Sequence, residues 1–149
     1  MSQLKNLRRI ESRINRNLYL IASFVTVVTM AMILIEFFSR GAFFPSNMGL
    51  FYLGVLLIYS IHKELLRWLG KRSIDRQGEI FVYTWIILTA VLYIVNFVYN
   101  GRYNVSTSGV ELTTLRDLSI LTLEVLTVFI FTRCLKILKY VLTGDLKKR

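Results

Sequence analysis

Residues 80–99 read Ile80-Phe-Val-Tyr-Thr-Trp-Ile-Ile-Leu-Thr-Ala-Val-Leu-Tyr-Ile-Val-Asn-Phe-Val-Tyr99, a run of 20 residues without a charged side chain. An α-helix rises about 1.5 Å per residue, so this run matches the ~30 Å hydrocarbon core of a lipid bilayer. The stretch therefore predicts a transmembrane helix, and the rest of the chain repeats its pattern.

Three other segments are similarly long and apolar: 18–38, 45–66 and 112–133. The first of them carries one charge, Glu36, near its end. Pro45 suits the first turn of the second helix, where its missing N–H is not needed. Ser108-Gly-Val-Glu111 has the spacing of a capping box and predicts the start of the last helix. The sequence thus predicts an all-α polytopic membrane protein, a single domain (1–149) with four transmembrane helices.

The composition excludes several other classes of protein. Hydrophobic side chains make up 54% of the 149 residues and charged ones 19%, which is too apolar for a soluble domain of this size or for a disordered chain. A single Cys excludes a disulfide scaffold, and a single His excludes sites with two His ligands. The chain also lacks a Gly-rich phosphate loop, a nucleophile elbow and a His-Glu-x-x-His motif. We therefore expect no enzyme, no cofactor, no metal site and no nucleic-acid partner.

The basic residues predict the orientation of the helices. Sixteen of the nineteen Lys and Arg residues lie in 1–17, 62–79 and 133–149. Short segments rich in Lys and Arg stay on the cytoplasmic side, so both termini and the central loop are expected there, as an even number of spans requires. Contacts with anionic lipid headgroups of the cytoplasmic leaflet are expected for Arg9, Arg13, Arg16, Arg67, Trp68, Arg133, Lys136 and Lys139.

The first 17 residues have the pattern of an amphipathic basic helix. Basic residues occupy one face, and on the other face, at helical spacing, lie Leu4, Leu7, Ile10 and Ile14. No Pro or Gly interrupts the passage into the first span, so residues 2–38 can form a single helix of about 55 Å. Two placements remain open for 1–17: lying on the inner leaflet, or projecting into the cytoplasm as a vestibule or a docking surface for an acidic partner. Residues 134–149 are predicted as a basic cytoplasmic tail.

Polar residues within the predicted spans supply the candidate functional sites. Glu124 lies near the middle of the last span, where Asp, Lys or Arg costs roughly 2.5–3.5 kcal/mol on the translocon scale, and we take Glu as similar. Such a residue is a functional candidate by default. It shares a helix face with Thr113, Asp117 and Thr127. The third span carries a second polar stripe, formed by Trp85, Thr89, Tyr93, Asn96 and Asn100.

Three interpretations of these stripes remain open. In the first, the two stripes face each other as helix-packing contacts, with Thr89 at the depth of Glu124 and Asn96 near Asp117. In the second, Asp117 and Glu124 line a path for a cation or for protons. In the third, the stripes face a partner protein. Glu36, at the outer end of the first span, is a candidate for the outer selectivity charge of a cation pore.

One local pattern resembles a known group of proteins. Lys63-Glu-Leu-Leu-Arg-Trp68, followed by Gly78-Glu-Ile-Phe-Val-Tyr-Thr-Trp85, is similar to a pattern of small, uncharacterised four-span membrane proteins of bacteria. The resemblance covers residues 63–85, around the central loop. It implies four spans and a bacterial inner (plasma) membrane, and it implies no mechanism because that group has no assigned activity.

The expected function follows from the layout of the spans. Four short spans enclose little interior and three of them carry polar faces, so contacts with further helices are expected, and homo-oligomers are the common solution. We therefore expect a non-enzymatic subunit that self-assembles or is an accessory to a larger membrane complex. The alternative is a small homo-oligomeric channel or transporter that passes a cation or protons along Glu124 and Asp117.

Overall fold

The computed structural model describes residues 2–43, 48–68 and 77–143, and their side chains in 13–43, 48–68 and 79–142. The described chain is helical: α1 is Ser2–Phe38, α2 is Met48–Trp68, α3 is Gln77–Val98 and α4 is Thr114–Thr143. A short 3-10 turn, Arg102–Asn104, lies between α3 and α4. Each of the four helices is long and apolar enough to cross a membrane, which confirms the predicted all-α architecture.

Helix α1 confirms the prediction that the basic N-terminal segment and the first apolar segment are continuous. It runs without interruption over 37 residues. The predicted amphipathic face of its first twelve residues, and with it Arg9, lies outside the described side chains. The predicted start of the second helix at Pro45 also lies outside the described residues, since α2 is described from Met48.

Helices α1 and α3 end in the same way, and this sets where the chain turns at one end of the bundle. After α1, Arg40 and Gly41 both have positive φ (53° and 77°), and the Gly41 N–H donates to the Glu36 carbonyl at 3.1 Å. After α3, Asn100 and Gly101 repeat this pattern, with the Gly101 N–H donating to the Asn96 carbonyl at 2.9 Å. These are Schellman-type ends that satisfy the last helical carbonyls. We call this end of the bundle the Arg40 end.

Helix α4 begins and ends later than predicted. The expected capping box at 108–111 is wrong because Gly109, at φ 83°, turns the chain back and Glu111 pairs with Val105 in an antiparallel bridge. The helix begins instead at Thr114. At its other end it continues ten residues beyond Arg133, because apolar residues recur at helical spacing and neither Gly nor Pro occurs before Gly144.

The four helices pack as a bundle in which α1 contacts α2, α3 contacts α4, and α2 contacts α4 between the two pairs. Successive helices alternate in direction, so the start of α1, the end of α2, the start of α3 and the end of α4 share one end, which we call the basic end. Tyr52 and Trp85 meet in the middle, where the indole N–H donates to the phenol oxygen at 2.7 Å. The largest fully buried side chains are Trp85, Tyr52, Phe37, Leu92, Leu118, Val125 and Thr29.

Candidate functional site

Helices α1, α2 and α4 leave a groove of about 310 Å³ between them, in the half of the bundle nearer the Arg40 end. Three carboxylates line it: Glu36 on α1, and Asp117 and Glu124 on α4. Most of the remaining wall is apolar and includes Met32 and Ile33 on α1 and Met48, Leu50 and Leu53 on α2. The structure therefore brings together three candidate residues that the sequence placed on two different helices.

Glu36 is the buried carboxyl of the groove wall, and a hydrogen bond holds it in place. It lies in the last turn of α1 and is only 6% exposed. The Thr114 hydroxyl donates to Glu36 Oε1 at 2.8 Å, and Thr114 is itself buried as the first residue of α4. A neutral hydroxyl donor thus holds this buried carboxyl in place and joins the first helix to the last.

Asp117 lines the same groove and has two polar partners close to it in sequence. It accepts a hydrogen bond from the Thr113 hydroxyl at 2.6 Å. The Arg116 Nε lies 3.7 Å from Asp117 Oδ1, and the two side chains are 74% and 50% exposed. An ion pair this exposed contributes little to stability, so both charges remain available to other groups.

Glu124 is the third carboxylate and lies two turns from Asp117, about 10 Å along the axis of α4. Its side chain is exposed. Within the described ranges no hydrogen-bond donor or cation reaches this carboxylate, whereas Glu36 and Asp117 both have partners. The group is therefore able to accept hydrogen bonds from, or bind a cation on, whatever covers this face of α4.

The predicted pairing of the two polar stripes is wrong. Thr89 of α3 shares a hydrogen bond with Thr122 of α4 at 2.7 Å, instead of lying at Glu124. One turn away, Tyr93 bonds Ser119 at 2.9 Å. The α4 residues that meet α3 are therefore small hydroxyls, which also bond carbonyls of their own helix and allow close approach. The carboxylate face points away from α3, because burial of a charge without a partner is costly.

Asn96 and Thr127 also differ from the prediction. Asn96 Nδ2 donates to Asn104 Oδ1 at 3.0 Å and Asn96 Oδ1 accepts from the Tyr103 N–H at 3.1 Å, so within the described residues Asn96 holds the α3–α4 loop and makes no hydrogen bond to Asp117. Thr127 is exposed on α4, and its hydroxyl donates to the Leu123 carbonyl at 2.8 Å. Thr127 therefore shares the outward face of Glu124 and takes no part in packing against α3.

The inward-facing hydroxyls of α1 are satisfied within the helix, and aromatic rings cover the Arg40 end. Thr26 and Thr29 point inward, but their hydroxyls bond carbonyls one turn back on α1 at 2.7 Å. At the Arg40 end the rings of Phe37 and Tyr103 stack with centroids 4.5 Å apart. The Arg40 guanidinium closes the same surface by donating to the Val105 carbonyl at 2.9 Å. Polar access to Glu36, Asp117 and Glu124 is thus from the side of the bundle.

At the basic end, several predicted headgroup ligands have partners within the chain. Arg67 pairs with Glu64, and Arg133 pairs with Glu79 at the start of α3. The Lys139 ammonium donates to the Arg67 carbonyl and links α4 to α2. Lys136 lies over the Tyr140 ring at 6.0 Å. Among the predicted headgroup ligands with described side chains, Arg13, Arg16 and Trp68 are exposed, and their contact with lipid headgroups stays a prediction.

Sequence reasoning missed the residues that build the site around the carboxylates. Thr114 carries no distinguishing pattern, since its role depends on a neighbour 78 positions away. Ser119 and Thr122 had a usable signal: they lie three positions apart, which places them on one face of α4. Both are neutral, so they are better suited to a helix interface than Glu124.

The described residues contain no grouping of three or more His, Cys, Asp or Glu side chains that could hold a metal ion. Comparison with family models, curated proteins and solved structures finds no match to the chain.

Proposed function

We propose that the protein is an integral membrane protein whose four helices cross the bilayer. Each helix has the required length and apolar character. The concentration of Lys and Arg at the basic end supports a cytoplasmic location of that end and of both termini. The resemblance of residues 63–85 to a pattern of small four-span bacterial proteins supports placement in a bacterial inner membrane.

Within the membrane we propose a non-enzymatic subunit that assembles with further helices, either copies of itself or a larger complex. One observation carries this proposal: α4 exposes Glu124, without a partner in the described structure, near the middle of a membrane-length helix. Leaving such a charge against lipid costs roughly 2.5–3.5 kcal/mol on the translocon scale, and a covering partner removes that cost. The groove beside it supplies a surface on which another helix can pack.

The test is the mass of the particle purified in mild detergent, measured by native mass spectrometry. We expect a multiple of the 17.4 kDa chain, or the chain with a defined partner. Replacement of Glu124 by Leu removes the need for a polar partner, so the assembled fraction should fall. Glu111→Gln, an exposed acidic residue of the α3–α4 loop, is the matched control and should leave assembly unchanged. A wild-type monomer at every concentration contradicts the proposal.

A second candidate function is the passage of a cation or protons at the surface between subunits. It is favoured by the three carboxylates that line one groove, Glu36, Asp117 and Glu124. Since these carboxylates line the groove between α1, α2 and α4, such a path would run along it and would be completed by the assembled neighbour. In liposomes the Glu124→Gln variant should lose most of a cation or proton flux that Glu111→Gln retains. Equal flux in the two variants, or none in the wild type, contradicts this second function.

A further inference from the structure

The groove between α1, α2 and α4 is long enough to receive side chains from two turns of another helix. Its wall on α1 includes Thr29 and Glu36, which are seven positions or about 10 Å apart along the helix axis. The apolar wall reaches the surface, since Leu50 on α2 is 74% exposed and Ile120 on α4 is 46% exposed. Glu124 lines the same groove and is exposed as well. The groove is therefore an apolar surface with a carboxylate on it that the described chain leaves uncovered.

The charges that line this groove are not balanced within the subunit. Glu36 accepts its hydrogen bond from the neutral Thr114 hydroxyl at 2.8 Å. Asp117 has the Arg116 guanidinium at 3.7 Å, in an exposed pair. Arg116 precedes Glu124 by eight positions, which is about 12 Å along the axis of α4. Within the described ranges Glu124 thus has a groove beside it and no cation at its own depth.

A second copy of this chain does not supply a cation at the depth of Glu124. The apolar segments that contain no Lys or Arg are 18–38, 48–61, 80–99 and 117–132. In a copy with the same orientation, Arg116 again lies about 12 Å from the level of Glu124. Copies that met at this depth would place the carboxylate against another carboxylate or against a neutral side chain. A charge-balanced contact at Glu124 therefore requires a different chain.

Charge complementarity defines the chemistry of that chain. A Lys or Arg near the middle of a transmembrane helix is unfavourable without a partner, as an unpaired Glu is, and ionisable residues at this depth are typically paired with one another. A basic residue opposite Glu124 removes the penalty of both groups, whereas a neutral helix leaves the carboxylate unpaired. An inorganic ion fits less well, because the described residues contain no grouping of three or more acidic, His or Cys side chains that could hold one.

We propose that the groove and Glu124 form the docking site for a transmembrane helix of a different protein, which carries a lysine or arginine near the middle of its span. The basic side chain pairs with Glu124, and apolar side chains of the same helix pack on Leu50 and Ile120. The inference rests on the proposed role as an assembling membrane subunit and names the partner as a different chain of stated charge.

A synthetic helix tests the pairing directly. The probe is a leucine-alanine peptide of about 21 residues with one lysine at its centre, and the control peptide has glutamine there. Cys134 is the only cysteine of the chain and is exposed, so it carries a fluorescence donor, while the peptide carries an acceptor at one end. In lipid vesicles, energy transfer should show about tenfold tighter association of the lysine peptide than of the glutamine peptide.

Two substitutions with matched controls assign the effect to the site. Glu124→Gln should abolish the preference for the lysine peptide, whereas Glu111→Gln, in the α3–α4 loop, should retain it. Leu50→Trp fills part of the groove and should weaken the binding of the lysine peptide. Phe51→Trp, at a neighbouring position of α2 that is 57% exposed, should leave binding unchanged. All four positions are exposed in the subunit, so the substitutions do not disturb its core.

Photo-crosslinking in the native membrane identifies the natural occupant. The photoreactive residue p-benzoylphenylalanine replaces Leu50 or Ile120 in the groove, and Ile87 or Ile94 of α3 as controls that are both 62% exposed. We expect the groove positions to link to one different protein, through a span with a Lys or Arg near its centre. Glu124→Lys should abolish this link, and replacement of the partner's basic residue by Glu should restore it.

The outcomes separate this inference from the function on which it rests. Equal association of the two peptides, or association of neither, overturns the docking site. Links to a second copy, to lipid alone or to a span without a basic residue also overturn it. A native particle that contains only copies of this chain overturns the docking site and leaves self-assembly standing. A monomeric particle overturns both proposals.

Discussion

The Thr114 hydroxyl donates to the Glu36 carboxylate at 2.8 Å, and this bond joins the first helix to the last across 78 positions of sequence. Both side chains are buried, at 4% and 6% exposure. The bond fixes the wall of the acidic groove at the point where α4 begins. It is therefore one of the contacts that relate the orientation of α4, and of the carboxylates on it, to α1.

Loss of the Thr114 hydroxyl should destabilise the bundle. Thr114→Val leaves the buried Glu36 carboxyl without its donor, so the free energy of unfolding should fall by about 1–3 kcal/mol. Thr114→Ser keeps the hydroxyl and should lose less. Unfolding in mixed micelles, followed by circular dichroism, measures the difference. Equal stability of the Val and Ser variants would show that the hydrogen bond is energetically unimportant.

The buried bond between Trp85 and Tyr52 predicts a strongly non-additive pair of mutations. Tyr52→Phe leaves the indole N–H without an acceptor and should cost about 1–3 kcal/mol. In a Trp85→Phe background the same Tyr52 change should cost less, because no donor is left unsatisfied. Tyr83→Phe, on an exposed tyrosine of α3, is the control and should be neutral. Additive effects in the double-mutant cycle would contradict the bond.

Two glycines should respond in opposite directions to replacement by alanine. Gly41 has φ +77°, and an added Cβ would lie 2.6 Å from Leu112 Cδ2, so Gly41→Ala should destabilise by about 1–2 kcal/mol. Gly54, inside α2, has open space around its Cβ position, so Gly54→Ala should stabilise by about 0.5–1 kcal/mol. Thermal unfolding in one detergent compares the two. A stabilising change at Gly41 would show that the turn after α1 differs from the one described.

The ion pair between Glu79 and Arg133 should tolerate exchange of its partners. Arg133→Glu alone places two carboxylates together where α3 and α4 meet, and should lower stability by about 0.5–1 kcal/mol. The exchanged pair, Glu79→Arg with Arg133→Glu, should recover most of this loss while the net charge of the basic end stays the same. No recovery in the exchanged variant would mean that the two side chains do not interact.

Helix existence was predictable from the sequence because it depends on local properties. The uncharged run 80–99 and the uninterrupted pattern of 2–38 require only length, apolar character and the absence of Gly and Pro. The ends were less predictable. Gly109 reads as a residue of a helix start, and only its positive φ and the bridge between Val105 and Glu111 show that it turns the chain back.

The sequence was sufficient to predict the carboxylates of the site, but not which residues of α4 contact α3. Glu124 and Asp117 stand out because ionisable groups are costly in an apolar helix. Which side of α4 meets α3 depends on which face of the helix can be buried at the lower cost in free energy. The face with Ser119 and Thr122 meets α3 because their hydroxyls hydrogen-bond to carbonyls of α4 itself and their small side chains permit close packing. Helix periodicity predicts which residues share a face, but it does not predict which face packs against the neighbouring helix.

The most direct test of the four membrane crossings is the sidedness of three single cysteines in a Cys134→Ser background, at Ser73, Thr107 and Lys148. In intact cells a membrane-impermeant maleimide should label only the cysteine at 107, in the α3–α4 loop. After permeabilisation the cysteines at 73 and 148 should also be labelled, since the Lys and Arg residues of the central loop and the C-terminal tail favour the cytoplasmic side. Labelling of 73 and 148 from opposite sides, or recovery of the protein from the aqueous fraction without detergent, would contradict the four crossings on which the proposed assembly depends.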